Sequence, residues 1–422
     1  MAQLEFDGKQ YPDGASSDPV AQGWMLGTPP AAEKRILFED DRFFDFPQIR
    51  WTLSHMRELV PTTSVWRGTG SARSLGMPDA SRMASIDALT FEDLNARRLT
   101  WADSMSPTYT DGILVLHRGA NVYERYFGAL QPHRPHACFS ITKSYAATLA
   151  ATLVYERVLD EKRTVTHYLP EMARTAYGDA TVRDVLDMQV GVDFSEVYAD
   201  PAASIWQYGR AGGMRARSRD YAGASNFYDY LVTLRKQGEH GTAFAYKTTN
   251  TEVLCWIMRR ATGLALADML SDRLWSRLGC EEDGYITVDP IGVAAGGAGL
   301  YAGLRDLARF GEMMRCEGSC RGQQVIPAAV IADIVRGSDC AKFELAGYSL
   351  LKGYSYRNMW WVSHDALGVF EGRGIHGQRL YIAPRAEVVI ARFASHPVAA
   401  SAANDPITLP GFRMLAKHLM GT

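Results

Sequence analysis

The apolar positions of the chain fall into three regimes. Through about residue 85 they are scattered among Pro, Gly, Asp and Ser, and many are aromatic: Phe43, Phe44, Phe46, Trp51 and Trp66. That spacing has no helix or strand period, yet it is too apolar for a disordered tail. It predicts an irregular arm packed on the body. Thr90-Phe-Glu-Asp reads as a helix start running toward Trp101, with Thr90 as cap and Asp93 as the acid of a capping box. Two extended runs follow, Ile113 to His117 and Val122 to Phe127, joined by Arg118-Gly119-Ala120-Asn121, a hairpin turn.

From Lys143 to Glu156 the pattern becomes helical and rich in Ala and Leu. Helix-period apolar residues recur over Thr181–Met188, Asn226–Lys236, Thr251–Thr262, Leu266–Leu278 and Leu304–Cys316. Strand character returns at Trp360–Ser363, Leu380–Ala383 and Val388–Phe393, and an amphipathic helix over Phe412–Leu419 closes the chain. The expected fold is α+β. An antiparallel sheet is drawn from both chain ends and flanked by helices, with a mostly helical second lobe and a cleft between them. The expected division is an arm over 1–85, a sheet domain over 86–145 and 345–422, and a helical domain over 146–344.

Composition narrows the function classes. The 422 residues are 47% hydrophobic, with a net charge of −2 and no basic stripe. A nucleic acid or an anionic membrane finds no field to hold it. The first residues lack the basic and apolar stretches of a secretory leader, and the longest small-apolar run, Tyr145–Tyr155, is far shorter than the ~20 residues of a membrane span. A cytoplasmic protein is expected, compatible with a homodimer. The six cysteines are dispersed, which predicts reduced thiols. Cys316 with Cys320, and His133 with His136, have ligand-like spacings but no further partners, so neither a metal nor an organic cofactor is expected.

Three short stretches carry candidate chemistry. Ser140-Ile-Thr-Lys143 places a hydroxyl at a helix start and an amine one turn later on the same face. A serine needs an adjacent base to attack, and a desolvated lysine can be that base. A plain helix cap explains the same serine equally well. A second match, Ser349-Leu-Leu-Lys352, lies between glycines with no helix to follow. Tyr246, in a loop before a helix, is a competent proton relay if the Lys143 cation lowers its pKa, and otherwise an ordinary core tyrosine. Gly372-Arg-Gly374-Ile-His376-Gly-Gln precedes a strand. It is either a flexible turn or a bare approach whose N–H groups form half of an oxyanion hole. No acid is clearly placed to orient His376 as a triad base. Gly-x-Ser-x-Gly, phosphate-loop and dinucleotide fingerprints are absent.

Taken in order, these stretches resemble the serine β-lactamase and penicillin-binding superfamily, its class C-like esterase branch, and within it the 6-aminohexanoate-dimer hydrolases. The likeness runs from about Asp111 to Ser395. It rests on Phe139-Ser-Ile-Thr-Lys-Ser, Val185-Leu-Asp-Met-Gln, Tyr198-Ala-Asp-Pro-Ala, Phe244-Ala-Tyr-Lys-Thr-Thr-Asn-Thr, Ala302-Gly-Leu-Arg-Asp-Leu-Ala-Arg, Met359-Trp-Trp and Gly374-Ile-His-Gly-Gln. The resemblance implies acylation of Ser140, Lys143 as base, Tyr246 as proton shuttle, and an oxyanion hole from the N–H groups of Ser140 and Ile375. It also implies Tyr198 and Trp361 as substrate contacts, with His376 beside them.

The chain departs from the family where Gly-Ile-His-Gly replaces Lys-Thr-Gly. It departs again where Gly209 and Ala295 replace an acid and an amide that serve an amino-terminal substrate. The expectation is therefore a hydrolase of small esters or amides, with an apolar pocket from Tyr198, Trp206, Tyr208, Trp360 and Trp361. A penicillin-interacting D-amino-acid peptidase and a non-catalytic binding protein on the same fold are the alternatives.

Overall fold

Arg118 and Gly119 both take positive φ, +52° and +78°, as a tight hairpin turn requires. In the computed structural model, which describes residues 3–422, they join β1 (Thr110–His117) to β2 (Ala120–Tyr126). Five strands from the far end of the chain complete this sheet: β3 (Ser355–Arg357), β4 (Trp360–Val362), β5 (Phe370–Gly374), β6 (Gln378–Ala383) and β7 (Val388–Ala394). The order is β3-β4-β5-β6-β7-β1-β2, and each pairing is antiparallel.

Both faces of the sheet are covered, which is why β1 is apolar without alternation. Ile113 and Val115 share a core with Phe412, Leu415 and Leu419 of the C-terminal helix. Leu114 and Leu116 face a larger core with Ile141, Tyr145, Leu149, Leu307 and Phe310. Those residues sit on α1 (Ile141–Tyr155) and on the helix Leu304–Arg315. α1 is buried along nearly its whole length, as expected of a helix apolar on all sides. The helical lobe adds α2 (Ser204–Ala211) and α3 (Thr248–Thr262).

A second sheet has four short strands in the order Thr62–Val65, Gly284–Thr287, Leu300–Ala302, His136–Ala137. It ties the first 85 residues to the lobe, and the lobe to the segment leading into Ser140.

Three elements differ from the sequence expectation. Thr90–Trp101 is no helix but a hairpin of Thr90–Glu92 and Arg98–Thr100. Asp93 accepts from the N–H groups of Asn95 and Arg97 at 2.8 and 2.9 Å, so its side chain caps a turn instead of a helix. Phe91 is then buried against Gly411 of the C-terminal helix. That helix begins at Asp405, ahead of the expected Phe412. Finally, Asn226–Lys236 supplies only the short helix Phe227–Leu231. Among the described residues, no helix is long and apolar enough to cross a membrane.

Candidate active site

Ser140 sits where the second sheet meets α1. The Cys138 N–H donates to the Leu300 carbonyl at 2.9 Å, and Phe139 then takes a φ of +43°. A bulky residue in this left-handed region is strained, and the turn it makes delivers Ser140 to the helix N-terminus. Ser140 caps no backbone amide of α1. Its hydroxyl instead accepts from Lys143 Nζ at 2.8 Å, while the same amine donates to the Gly297 carbonyl at 2.6 Å. The plain-cap reading of Ser140 is thereby excluded.

Lys143 is 1% exposed. Burial pulls its pKa down to about 8, against the opposing pull of Glu196 and Glu252. Tyr246 brings its ring to 5.1 Å from Lys143 Nζ. The expected lowering of its pKa does not occur. Burial, and then the Glu196 charge, hold the phenol well above its ordinary value, so Tyr246 stays a neutral phenol and not a phenolate.

β5 runs across the first turn of α1. A Cβ at Gly372 would lie 3.2 Å from Ile141 Cγ2 and Ser144 Oγ, and one at Gly374 would lie 2.8 Å from the Cys138 carbonyl oxygen. Only bare backbone fits there. Ile375 follows at the turn into β6. The loop and turn hydrogen bonds leave the N–H groups of Ser140 and Ile375 without an acceptor.

Around this centre, Trp361 stacks on Tyr246 with centroids 5.6 Å apart. Tyr198 is half-buried, edge-on to Trp206 at 5.9 Å, with its hydroxyl 3.5 Å from Glu196 Oε2. Two of the expected pocket aromatics belong elsewhere. Trp360 is fully buried and donates to Thr148 Oγ1 at 3.1 Å. Tyr208 is buried with its hydroxyl on Glu252.

His376 is buried, with Nδ1 2.7 Å from the His396 carbonyl oxygen and its ring 5.6 Å from that of Phe139. Burial lowers its pKa to about 4, which keeps it neutral. Gly209 lies on α2, where a Cβ would meet Arg215 Cγ at 3.0 Å. Arg215 in turn pairs with Asp41 of the arm at 3.0 Å. Ala295 is buried, bonded through its backbone to Thr287 and Gly299, and offers no polar side-chain atom. Ser349 and Lys352 are both exposed, on and beside a short turn.

Sequence reasoning missed two carboxylates. Glu196 Oε1 accepts from the Thr248 N–H, and Glu252 lies deeper, behind Lys143. The one signal for Glu252 was the polar run Thr248-Thr-Asn-Thr-Glu252 opening a helix that is otherwise apolar.

The chain is similar to known proteins over most of its length. The β-lactamase family model matches residues 110–409. The 6-aminohexanoate-dimer hydrolase of Paenarthrobacter ureafaciens is 33% identical over 392 residues, covering 92% of this chain and 91% of that one. A Bacillus anthracis protein designated a 6-aminohexanoate-dimer hydrolase superimposes with a TM-score of 0.83 at 29% identity, over 93% of this chain and 99% of that one. A family VIII carboxylesterase shares the fold, with a TM-score of 0.57 at 17% identity over 80% of this chain and 99% of its own. The chain belongs to the β-lactamase family, as a hydrolase built like the 6-aminohexanoate-dimer hydrolases.

Proposed function

We propose that the protein hydrolyses small esters and linear amides through an acyl-enzyme on Ser140. The observation that carries this reading is the 2.8 Å contact between Ser140 Oγ and a buried Lys143 amine whose pKa is brought near neutrality. The substrate carbonyl enters between the N–H groups of Ser140 and Ile375, which stabilise the oxyanion. Ser140 Oγ attacks the carbonyl carbon as neutral Lys143 takes its proton. Tyr246 gives its proton to the departing alkoxide or amine and recovers one from the Lys143 ammonium. Water attacks the acyl-enzyme by the same route, releasing the acid and restoring Ser140.

Tyr198 and Trp361 support an apolar, aromatic-walled pocket for small to medium acyl groups. At Gly209 and Ala295 no carboxylate or amide awaits a substrate ammonium, which favours general esters and amides over amino-terminal nylon dimers. The test is intact-mass analysis after exposure to a fluorophosphonate probe, with turnover of short p-nitrophenyl esters, linear amides and 6-aminohexanoate oligomers. One adduct on Ser140 and ester turnover are expected. Absence of both overturns the proposal, and a slowly released penicillin adduct redirects it to a D-amino-acid peptidase.

A further inference from the structure

We infer that Glu252 is a positioning residue for this chemistry: it fixes the carbonyl that holds Lys143 and supplies, alongside Glu196, buried negative charge facing the lysine. This rests on Lys143 being the base. Glu252 lies on α3 and is 2% exposed. Three donors converge on its carboxylate. Oε1 accepts from the Tyr208 hydroxyl at 2.5 Å and the Gly297 N–H at 2.8 Å, and Oε2 accepts from the Gly296 N–H at 3.1 Å. The Gly297 carbonyl takes the Lys143 amine, and that amine reaches Ser140 Oγ. Gly297 is thus clamped at its N–H by the acid and at its C=O by the base. A Cβ on it would collide with Thr248 Cγ2 and crowd Glu252 Oε1, so only glycine lets the two sides come this close.

Holding a loop does not by itself require a charge. A buried carboxylate costs several kcal/mol unless it is paired, and a neutral amide would accept a loop N–H at lower cost. The charge has one buried cation to act on, Lys143. The other ionisable groups around Glu252 are Tyr208 on α2, Glu196 on the loop before α2, and Cys255 on α3 itself. Burial pushes the Glu252 carboxyl up to about 7, against the Tyr208, Gly297 and Gly296 bonds and the Lys143 charge. The carboxylate therefore gains its charge over a range adjoining the one in which Lys143 loses its proton. Tyr208 extends the arrangement to α2, so the segment carrying Gly209 is fastened to the scaffold of the base.

The test is the pH profile of kcat/KM for a p-nitrophenyl ester in wild type, Glu252→Gln and Glu252→Asp, with fluorophosphonate labelling of Ser140 and thermal melting alongside. In Glu252→Gln one carboxylate oxygen becomes an NH2 that cannot accept a loop N–H, so the Gly297 carbonyl is held less firmly and the plateau is expected to fall roughly tenfold. The rising limb should move to lower pH, because one of the two carboxylates that favour the ammonium is gone while Glu196 remains. Glu252→Asp should retain the wild-type limb. A purely structural role would lower the melting temperature and leave the limb in place. That result, or an unchanged profile in folded Glu252→Gln, overturns the inference. If Glu252→Gln does not fold, Tyr208→Phe removes only one donor. A smaller shift in the same direction supports the inference, and an unchanged profile overturns it. Wild type that fails to label at Ser140 overturns the nucleophile–base reading as well, so the two failures are distinguishable.

Discussion

A lysine whose pKa falls from 10.5 to about 8 on burial has a measurable consequence in each direction of pH. The proposed mechanism requires neutral Lys143, so kcat/KM is expected to rise with pH and level off above about 8. Stability follows the same titration. Below pH 8 the folded state must hold the ammonium against burial, and this cost fades as pH rises toward 10.5, where the unfolded lysine also deprotonates. Lys143→Met is therefore expected to abolish Ser140 labelling and to remove the lysine-linked rise of stability between about pH 8 and 10.5, as read by chemical denaturation across that range. Tyr246→Phe keeps the ring against Trp361 and removes the donated proton. It should depress amide hydrolysis far more than hydrolysis of p-nitrophenyl esters, whose leaving group departs without a proton. Ser140, Lys143 and Tyr246 were legible because each lies in a short local pattern. Glu196 and Glu252 were not, because a carboxylate's role here depends on which loop folds onto it, and Gly296-Gly297 carries no chemical label.

β5 and β6 carry the elements that bound the site, and they are held by charge. Arg373 pairs with Glu371 at 2.9 Å and Asp405 at 2.5 Å, and Arg379 pairs with the same two acids at 2.8 and 2.6 Å. This closed ring of four buried groups joins both strands to the first turn of the C-terminal helix, and the Arg373 guanidinium also lies 5.3 Å from the Trp361 ring. Removing one member leaves an unpaired buried charge. Asp405→Asn is expected to cost about 3 kcal/mol in urea unfolding and to lower kcat through the displaced Ile375 amide. The strand Phe370–Gly374 was hidden in the sequence because its glycines, chosen by close contact with Ile141 and Cys138, erase strand propensity. The helix expected over Thr90–Trp101 failed for a related reason. Asp93 suits a cap or a turn equally, and burial of Phe91 against Gly411 decided for the turn.

At the scale of the molecule, the first 85 residues do more than wrap. Phe44 lies 5.9 Å from Phe139, the residue before Ser140, and the Arg215 guanidinium sits 5.8 Å over both Phe43 and Phe44 and 5.1 Å over Trp206 while pairing with Asp41. Asp41→Ala is expected to raise KM for p-nitrophenyl esters with kcat nearly unchanged, since it loosens a wall without touching the base. The sheet carries a different consequence. β7 lies in its interior, between β6 and β1, although β1 and β7 are far apart in the chain and hydrogen bonds between these regions span up to 284 residues. Such long-range closure is slow. A nascent chain still lacking Val388–Ala394 has a gap in the middle of its main sheet, so the β5–β6 turn that carries Ile375 has no completed sheet to hold it beside Ser140. Ser140 is synthesised early but its proposed site is completed last, so a chain that stops short of Val388 is expected to lack the proposed hydrolase activity.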